Sequence, residues 1–595
     1  MCGIFGIVTN QEKNLGQILV KCGKRLSYRG YDSVGAATFS SKGIDLRKSV
    51  GKIEEVSKKL KFSQMRGDRG IIQLRWATFG APSRRNAQPH FGCQQDLVGA
   101  HNGNIINHIQ LREKFLKEGH LVRSTNDGET CVHAVDQYLK QGKTMIEAIR
   151  LAYKDLEGDY AFIIGKKDER KLYAIKKGST LVAGFGQDFT CCSSDLPSIL
   201  PLTNKIFRIK DNEILILSPE EIEIRSVLSG KKINRQPEIY KGNLATAEKG
   251  DFPHFMFKEI AEEPQVAADL LGLLKKSIYL RKFIDILKKS DKIFFVGCGS
   301  SYHACLTGAY YFNKIARRCI LTAFGPELIE NYGQLIDKKT AIVFVSQSGE
   351  TKDILKAVKP AKKKGAKILA ILNVIGSTLM YEADIYLPLN CGYEIAVPAT
   401  KTFLNQLIIF LYLAKKMVNQ STHYLEKIPT FLEKIFKETN QPAEKLAEKL
   451  VKKFDMYYLG YGVTYGVALE GALKLKEITY THAEGILSSE FKHGPLSAVY
   501  RDYPVVFIAA KQDIPLMINH INEVSCRGGR TIVIAPNSKI LKKYVHDYLF
   551  LPNSDHYLIP IFATIPLQLI AYHLSVKRGI DPDFPRNLSK TITVD

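Results

Sequence analysis

The 595-residue chain is 45% hydrophobic and 24% charged, an ordinary globular composition with length enough for several cores. Lys and Arg outnumber Asp and Glu by 84 to 60, a formal charge of +24 that suits an anionic partner. Most of these lysines recur at helical spacing among apolar residues, as from Ile354 to Lys367, which marks solvated helix faces rather than a nucleic-acid stripe, and composition does not choose the partner.

The chain opens MCGIFGIVTNQEKN, with no basic segment ahead of a long apolar core, and no later run approaches about 18 uninterrupted apolar residues; neither an export signal nor a membrane span is expected. From Gly3 to Ser218, short β-rich runs (GIFGIVT, VGAATF, GIIQLRWA, YAFIIG, KLYAI, EILIL) alternate with a few amphipathic helices, Leu111 to Glu118 and Glu129 to Lys140 among them. This predicts one α+β domain over 1–240, with a polar, aperiodic linker over 241–257. The rest repeats itself. Shifted by 163 residues, IFFVGCGSSY (293–302) lies over MYYLGYGVTY (456–465), AIVFVSQSGE (341–350) over PVVFIAAKQD (504–513), and GAKILAILN (365–373) over GGRTIVIAP (528–536). One constant offset for three strand-and-turn segments implies two copies of one parallel α/β unit, over 258–425 and 426–584, before a tail at 585–595. The eleven cysteines never form a C-x-x-C pair, so a zinc ribbon or disulfide framework has no support, no metal site is expected, and a reduced, cytoplasmic setting fits.

Cys2 follows the initiator methionine, whose removal would place a thiol and an α-amine on one residue. With a reference pKa of about 7.7 to 8.0, that amine can take the thiol proton near neutral pH. MCGIFG, LSYRGYDSVG, LRWATFG, HNGNIINH and STNDGET then follow in order. Over nearly its whole length this first region resembles the N-terminal-nucleophile glutamine amidotransferases. The resemblance implies that Arg75 holds the α-carboxylate of glutamine, Asp127 its α-ammonium, and Asn102 with Gly103 the oxyanion, where one aimed donor is worth about 3 to 4 kcal/mol. It also implies that Trp76 and Thr78 line the glutamine pocket and that the indole gates ammonia. The plainer readings are a surface ion pair for Arg75, a helix N-cap for Asp127 and a hairpin turn for Asn102-Gly103. Phe79 and Gln88-Pro89-His90 depart from the family pattern.

In the first copy of the repeat, the buried run AIVFV feeds SQSGET and then a helix, so Ser346, Gln347, Ser348 and Thr351 offer hydroxyl and amide donors to a phosphate. Ser300 and Ser301 of GCGSS form a second edge. The second copy has AAKQDI instead, so only the first keeps an anion cradle. SQSGET beside GCGSSYH is similar to the sugar isomerase (SIS) signature. With ALEGALKLKE, EFKHGPL and PRNLSKTITVD, the chain as a whole resembles the glutamine:fructose-6-phosphate aminotransferases. That resemblance implies that Lys590 forms a Schiff base with the sugar ketone, Glu477 moves a proton between C1 and C2, His493 opens the ring from a neighbouring subunit, Lys474 assists, and Val397 lines the sugar site. The chemistry asks for such a set: a lysine whose pKa burial or neighbouring cations lower, a carboxylate between two carbons, and a group titrating near neutrality. An ordinary helix pair, a turn histidine and a lysine in a polar tail are the plainer readings. Pro398 and Ser488-Ser489 depart from the family.

The expected architecture is therefore an αββα glutaminase sandwich, α+β, followed by two doubly wound SIS domains, α/β. The expected partners are glutamine, fructose 6-phosphate and a second copy of the chain, with no cofactor, no nucleic acid and no membrane. A different N-terminal-nucleophile amidotransferase lacks support, since neither a V-D-D-S-type nor an S-G-G-x-D-S loop is present. A catalytically dead sugar-phosphate sensor is opposed by the joint retention of Cys2, Glu477, His493 and Lys590.

Overall fold

The computed structural model describes residues 2–240 and 249–591. The initiator methionine, residues 241–248 of the expected linker and the last four residues of the tail lie outside that range. The chain forms two compact units that meet in sequence at residue 245.

The first unit is two sheets face to face. One has eight strands, with Gly3–Lys13, Gly67–Arg75 and Ser33–Ser40 side by side; the other has six and includes Leu97–Ile105 beside Gly158–Lys166. Alternation along the first strand explains the layering, because successive side chains point to opposite faces. Ile4 and Val8 join Ala37, Ile71, Val98, Ile163 and Leu215 between the sheets, whereas Phe5 and Ile7 face Leu15 and Leu19 of the helix Leu15–Arg25. The outer face of the second sheet is covered by Asp127–Lys140 and Met145–Asp155. Thr144 and Glu147 cap the latter helix reciprocally. Helix, sheet, sheet, helix is the layer order.

The second unit contains the repeat. Its first sheet runs Ile320–Phe324, Lys292–Gly297, Thr340–Ser346, Lys367–Leu372, Ile385–Pro388, and its second His482–Leu487, Asp455–Gly460, Pro504–Ile508, Arg530–Pro536, Asp547–Leu551. Every pairing is parallel. Asp455 opens its strand 163 positions after Lys292 opens the equivalent one. Buried on both faces, these strands read as nearly continuous apolar runs.

Two helix pairs join the copies. Glu263–Lys276 packs on its repeat equivalent, Ile428–Leu450, and Ser300–Tyr311 meets its own, Tyr465–Thr479. The second pair is close because Gly466 has no side chain: a Cβ there would stand 2.3 Å from the Thr307 hydroxyl and 2.6 Å from the His303 carbonyl. Among the described residues, one helical stretch, His556–Lys577, is long and apolar enough to cross a membrane, and 89% of its apolar window is buried inside the protein. It is a core helix of the second copy, packed chiefly on Ile428–Leu450 and Tyr465–Thr479.

Candidate active sites in the two units

In the first unit, Cys2 directly precedes the strand Gly3–Lys13. The antiparallel register Gly3↔Leu74 brings it to the end of the neighbouring strand, where Arg75 sits. The thiol lies 3.5 Å from the Trp76 carbonyl, and the Cys2 carbonyl accepts from Arg29 Nε at 3.1 Å. Burial pushes the Cys2 thiol up; the Arg75 guanidinium opposes this and the Asp127 carboxylate adds to it. Arg75 is 1% exposed, which rules out a surface ion pair. Its Nη2 donates to the Phe79 carbonyl and, at 2.7 Å, to that of Gly80, while its buried Nη1 has no partner. A buried guanidinium with a free donor is built for an anion that is not part of the chain.

Asn102 and Gly103 lie inside the strand Leu97–Ile105, not in a hairpin turn. Both polar atoms of the Asn102 side chain are buried and unpartnered. Gly103 has φ +111, and a Cβ there would stand 2.0 Å from the Asp159 carbonyl, so glycine is required. The helix N-cap is Asn126, whose side chain accepts from Gly128 N at 3.1 Å. Asp127 is thereby free of capping: it is 1% exposed and accepts from Ile105 N at 3.0 Å. Trp76 is half-buried and Thr78 exposed on the loop leaving Arg75. Of the departures, Gln88 braces the neighbouring strand, donating to the His101 carbonyl at 3.0 Å and accepting from His101 N at 2.7 Å. His90 meets Asn126 Oδ1 at 3.1 Å, and Phe79 packs its ring on His108 with centroids 4.4 Å apart.

In the second unit, Ser346 closes the strand Thr340–Ser346 and Thr351 precedes the helix Lys352–Lys363. Their hydroxyls lie 3.0 Å apart. Ser346 Oγ accepts from Gly349 N at 3.0 Å and Ser348 Oγ from Glu350 N at 3.1 Å, so the loop satisfies part of its own backbone. Gln347 is held through its carbonyl, which accepts from Asn373 N at 3.0 Å. Ser301 receives a bond from Gln406 at 3.1 Å.

Ser300 faces the second copy. Its hydroxyl donates to Glu470 at 2.8 Å and accepts from Lys474 at 3.3 Å. Lys474 also contacts Glu477 at 2.5 Å and Glu470 at 3.3 Å, and Glu470 takes a bond from His303 at 2.9 Å. Lys474 is fully buried, so this is no ordinary surface helix pair. Burial alone would lower its pKa, but Glu470 and Glu477 raise it. Burial pushes Glu477 up against the pull of Lys474 and, more weakly, Lys590. Glu470 and His303 were not singled out from sequence, although Glu470 stands one helical turn before Lys474 in ALEGALKLKE and His303 ends GCGSSYH.

The tail does not leave Lys590 in solvent. Its ammonium, 4% exposed, is bonded to Glu394 and lies 3.4 Å from the Pro398 carbonyl. Glu394, held by backbone donors of Thr400 and Thr402 at 3.0 Å each, is lowered to about 2, burial being outweighed by Lys590. The lysine's nearest charged neighbour is thus a carboxylate and not a cation. Val397 is buried, its N–H donating to the Asp583 carbonyl at 2.9 Å. His493 stands outside the buried network, exposed on the turn Phe491–His493.

Comparison with known proteins follows this division. The SIS domain family matches residues 286–416 and 449–578, and the glutamine amidotransferase domain family matches 75–199. The chain is 40% identical to the glutamine–fructose-6-phosphate aminotransferase (isomerizing) of Thermococcus kodakarensis and 38% identical to that of Clostridium tetani, with 100% of both chains covered in each case. Among solved structures, the C-terminal domain of glucosamine-fructose-6-phosphate aminotransferase from Francisella tularensis is 31% identical with a TM-score of 0.52, covering 57% of this chain and 100% of that one.

Proposed function

The chain belongs to the glutamine–fructose-6-phosphate aminotransferases (isomerizing), and we propose that Cys2 is the nucleophile of its glutamine site and that Lys590, Glu477 and His493 carry the sugar chemistry. The reaction moves the amide nitrogen of glutamine to fructose 6-phosphate and isomerises the product, giving glucosamine 6-phosphate and glutamate.

With the α-amine of Cys2 free, the thiol passes its proton to that amine and the thiolate attacks the side-chain carboxamide carbon. Negative charge collects on the carbonyl oxygen, where the unpartnered Asn102 amide and the Gly103 backbone donate to it. The C–N bond breaks, ammonia leaves, and water releases glutamate from the thioester. Arg75 pairs its free Nη1 with the α-carboxylate and Asp127 pairs with the α-ammonium, while Trp76 and Thr78 cover the pocket.

In the second unit the sugar's phosphate takes hydroxyl and amide donors from Ser301, Ser346, Gln347, Ser348 and Thr351, at the carboxyl end of a parallel strand where a helix begins. Ser300 and Val397 hold the sugar. Lys590 loses its proton to solvent and condenses with the C2 ketone, losing water; ammonia then displaces the lysine from the iminium. Glu477 carries a proton between the adjacent carbons, oriented by Lys474, which Glu470 shares. The exposure of His493 supports its service to the site of a second subunit in a homodimer, as ring opener. The free cysteines fit a reducing cytoplasm. The observation that carries this reading is the buried Ser300–Glu470–Lys474–Glu477 network, where an anion-binding edge from one copy meets acid–base groups from the other.

Purified protein given glutamine and fructose 6-phosphate is expected to yield glutamate and glucosamine 6-phosphate in equal amounts. Cys2→Ala is expected to stop glutamate release while leaving sugar-phosphate binding intact. A folded dimer that binds the sugar phosphate and makes no product would overturn the assignment.

A further inference from the structure

Away from the glutamine pocket, the first unit gathers four side chains that the proposed reaction does not use. Cys93 follows the short strand His90–Phe91, His120 sits in the loop after the helix His108–Lys117, and His133 and Asp136 lie one turn apart on the helix Asp127–Lys140. One atom from each converges: Cys93 Sγ, His120 Nδ1, His133 Nδ1 and Asp136 Oδ2 all lie within 4.8 Å of one another. His120, His133 and Asp136 are buried and Cys93 is half-buried.

The separations have the size of tetrahedron edges. Zinc bonds of about 2.0 to 2.1 Å to nitrogen or oxygen and about 2.3 Å to sulfur give edges of about 3.3 Å and about 3.6 Å. Here the two Nδ1 atoms are 3.2 Å apart, His133 Nδ1 is 3.7 Å from Cys93 Sγ, and Asp136 Oδ2 is 3.6 Å from His120 and 4.0 Å from His133. In an empty cluster, two imidazoles that turn the same nitrogen toward each other satisfy at most one donor–acceptor pair. A cation at the centre would accept a lone pair from both.

The surroundings support the ligand orientation. His133 turns its other nitrogen, Nε2, toward Glu129 Oε1 at 3.7 Å, and Glu129 is itself fixed by backbone donors of Arg123 at 2.8 Å and Ser124 at 2.5 Å. A carboxylate behind a histidine is the usual second support of a metal-bound imidazole. Leu121 N donates to Cys93 Sγ at 3.5 Å and Cys93 N to Asp136 Oδ2 at 3.2 Å, steadying thiolate and carboxylate. Phe115, fully buried, packs on both imidazole rings, with centroids 5.4 and 6.1 Å away. Lys140 Nζ, 3.6 Å from Asp136 Oδ2, is the one competing cation in contact with the carboxylate among the described residues, and its half-exposed side chain can stay at the rim.

We propose that Cys93, His120, His133 and Asp136 form a closed, tetrahedral site for a divalent ion of the zinc type. Four protein ligands leave no position for substrate or water, so the ion is structural. It ties the loop at His120 and the segment at Cys93 to the helix whose first residue is Asp127. No local motif announces this site, because its ligands are spread over more than forty residues with no close cysteine pair.

The test uses untagged full-length protein, stripped with a chelator, exchanged into chelator-free buffer and titrated first with CoCl2. The expected result is about one Co2+ per chain, with the visible absorption of a tetrahedral ion and a thiolate-to-cobalt charge-transfer band, both abolished by one equivalent of ZnCl2. Cys93→Ala should remove the charge-transfer band, and Asp136→Asn, which keeps the side-chain shape, should weaken Co2+ binding at least about tenfold. ZnCl2 should also raise the melting temperature of the stripped wild type. Absence of the tetrahedral spectrum in folded wild-type protein, or a spectrum unchanged in folded Asp136→Asn, would overturn the site.

Discussion

The two copies in the second unit share strand order and a near-constant offset, yet they carry different polar groups at the strand ends and helix faces where the proposed chemistry sits. At the end of the middle strand, the first copy has Ser346, Gln347 and Ser348 where the second has Ala509, Ala510 and Lys511. On the equivalent helices the asymmetry is reversed: Glu470, Lys474 and Glu477 of the second copy correspond to Thr307, Tyr311 and Lys314 of the first. The scaffold stays the same because buried parallel strands tolerate only apolar packing, while strand ends and helix faces are free to diverge. In the proposed reading, one duplicated fold supplies an anion cradle from one half and an acid–base set from the other, joined where Gly466 lets the paired helices touch.

Breaking the sugar chemistry should have the largest effect. Lys590→Ala is expected to lower the turnover of fructose 6-phosphate by about 10⁴-fold or more, with glutamine hydrolysis retained, as separate assays of glutamate and amino sugar would show. Next comes the helix asymmetry itself. Lys474→Met leaves Glu470 and Glu477 buried without their cation and should cost about 3 to 5 kcal/mol in urea unfolding. At the equivalent place in the first copy, Tyr311→Phe loses only the 2.8 Å bond to the Tyr557 carbonyl and should cost about 1 kcal/mol. Equal costs would mean that the two helices are not functionally distinct.

The seam between copies also has a pH signature. Burial raises Glu263, beside Gln568, to about 8. The native carboxyl then keeps a proton that the unfolded chain releases near its ordinary pKa, so stability falls as pH rises from about 4.5 to about 8. Glu263→Gln should remove this contribution, raising stability at pH 8.5 by roughly 4 to 5 kcal/mol and leaving it little changed at pH 4. Denaturation at the two pH values checks the sign. The smallest effect should come from the loops: Ser348→Ala is expected to raise the KM for fructose 6-phosphate about tenfold, whereas Lys511→Ala in the second copy should leave it within about twofold. A comparable loss from Lys511 would show that both copies bind the phosphate.

Much of this was legible in the residues because it rests on local pattern. The 163-residue offset, the strand-to-loop step at SQSGET and the placement of Cys2 before an apolar strand need only periodicity and order. The plainer readings of Arg75 and Lys474 failed for a reason no local pattern contains, namely burial by elements far away in the chain, and that of Asn102 failed because Asn102-Gly103 lies inside a strand. Burial also made Asn126 rather than Asp127 the helix cap's functional partner, since the capping bond goes to the residue outside the helix and frees the next carboxylate for the pocket.

Sequence alone determined the layered α+β unit, the duplicated parallel sheets and the types of chemical group available, because alternation, turn residues and repeat spacing act over short distances. Only the tertiary structure decided which groups meet. Glu470 reaches Ser300 across 170 positions, Glu394 takes Lys590 across 196, and Cys93 faces His133 across 40. Those meetings follow from sheet register and helix packing, and charge, burial and ligand geometry are properties of the meeting, not of either residue.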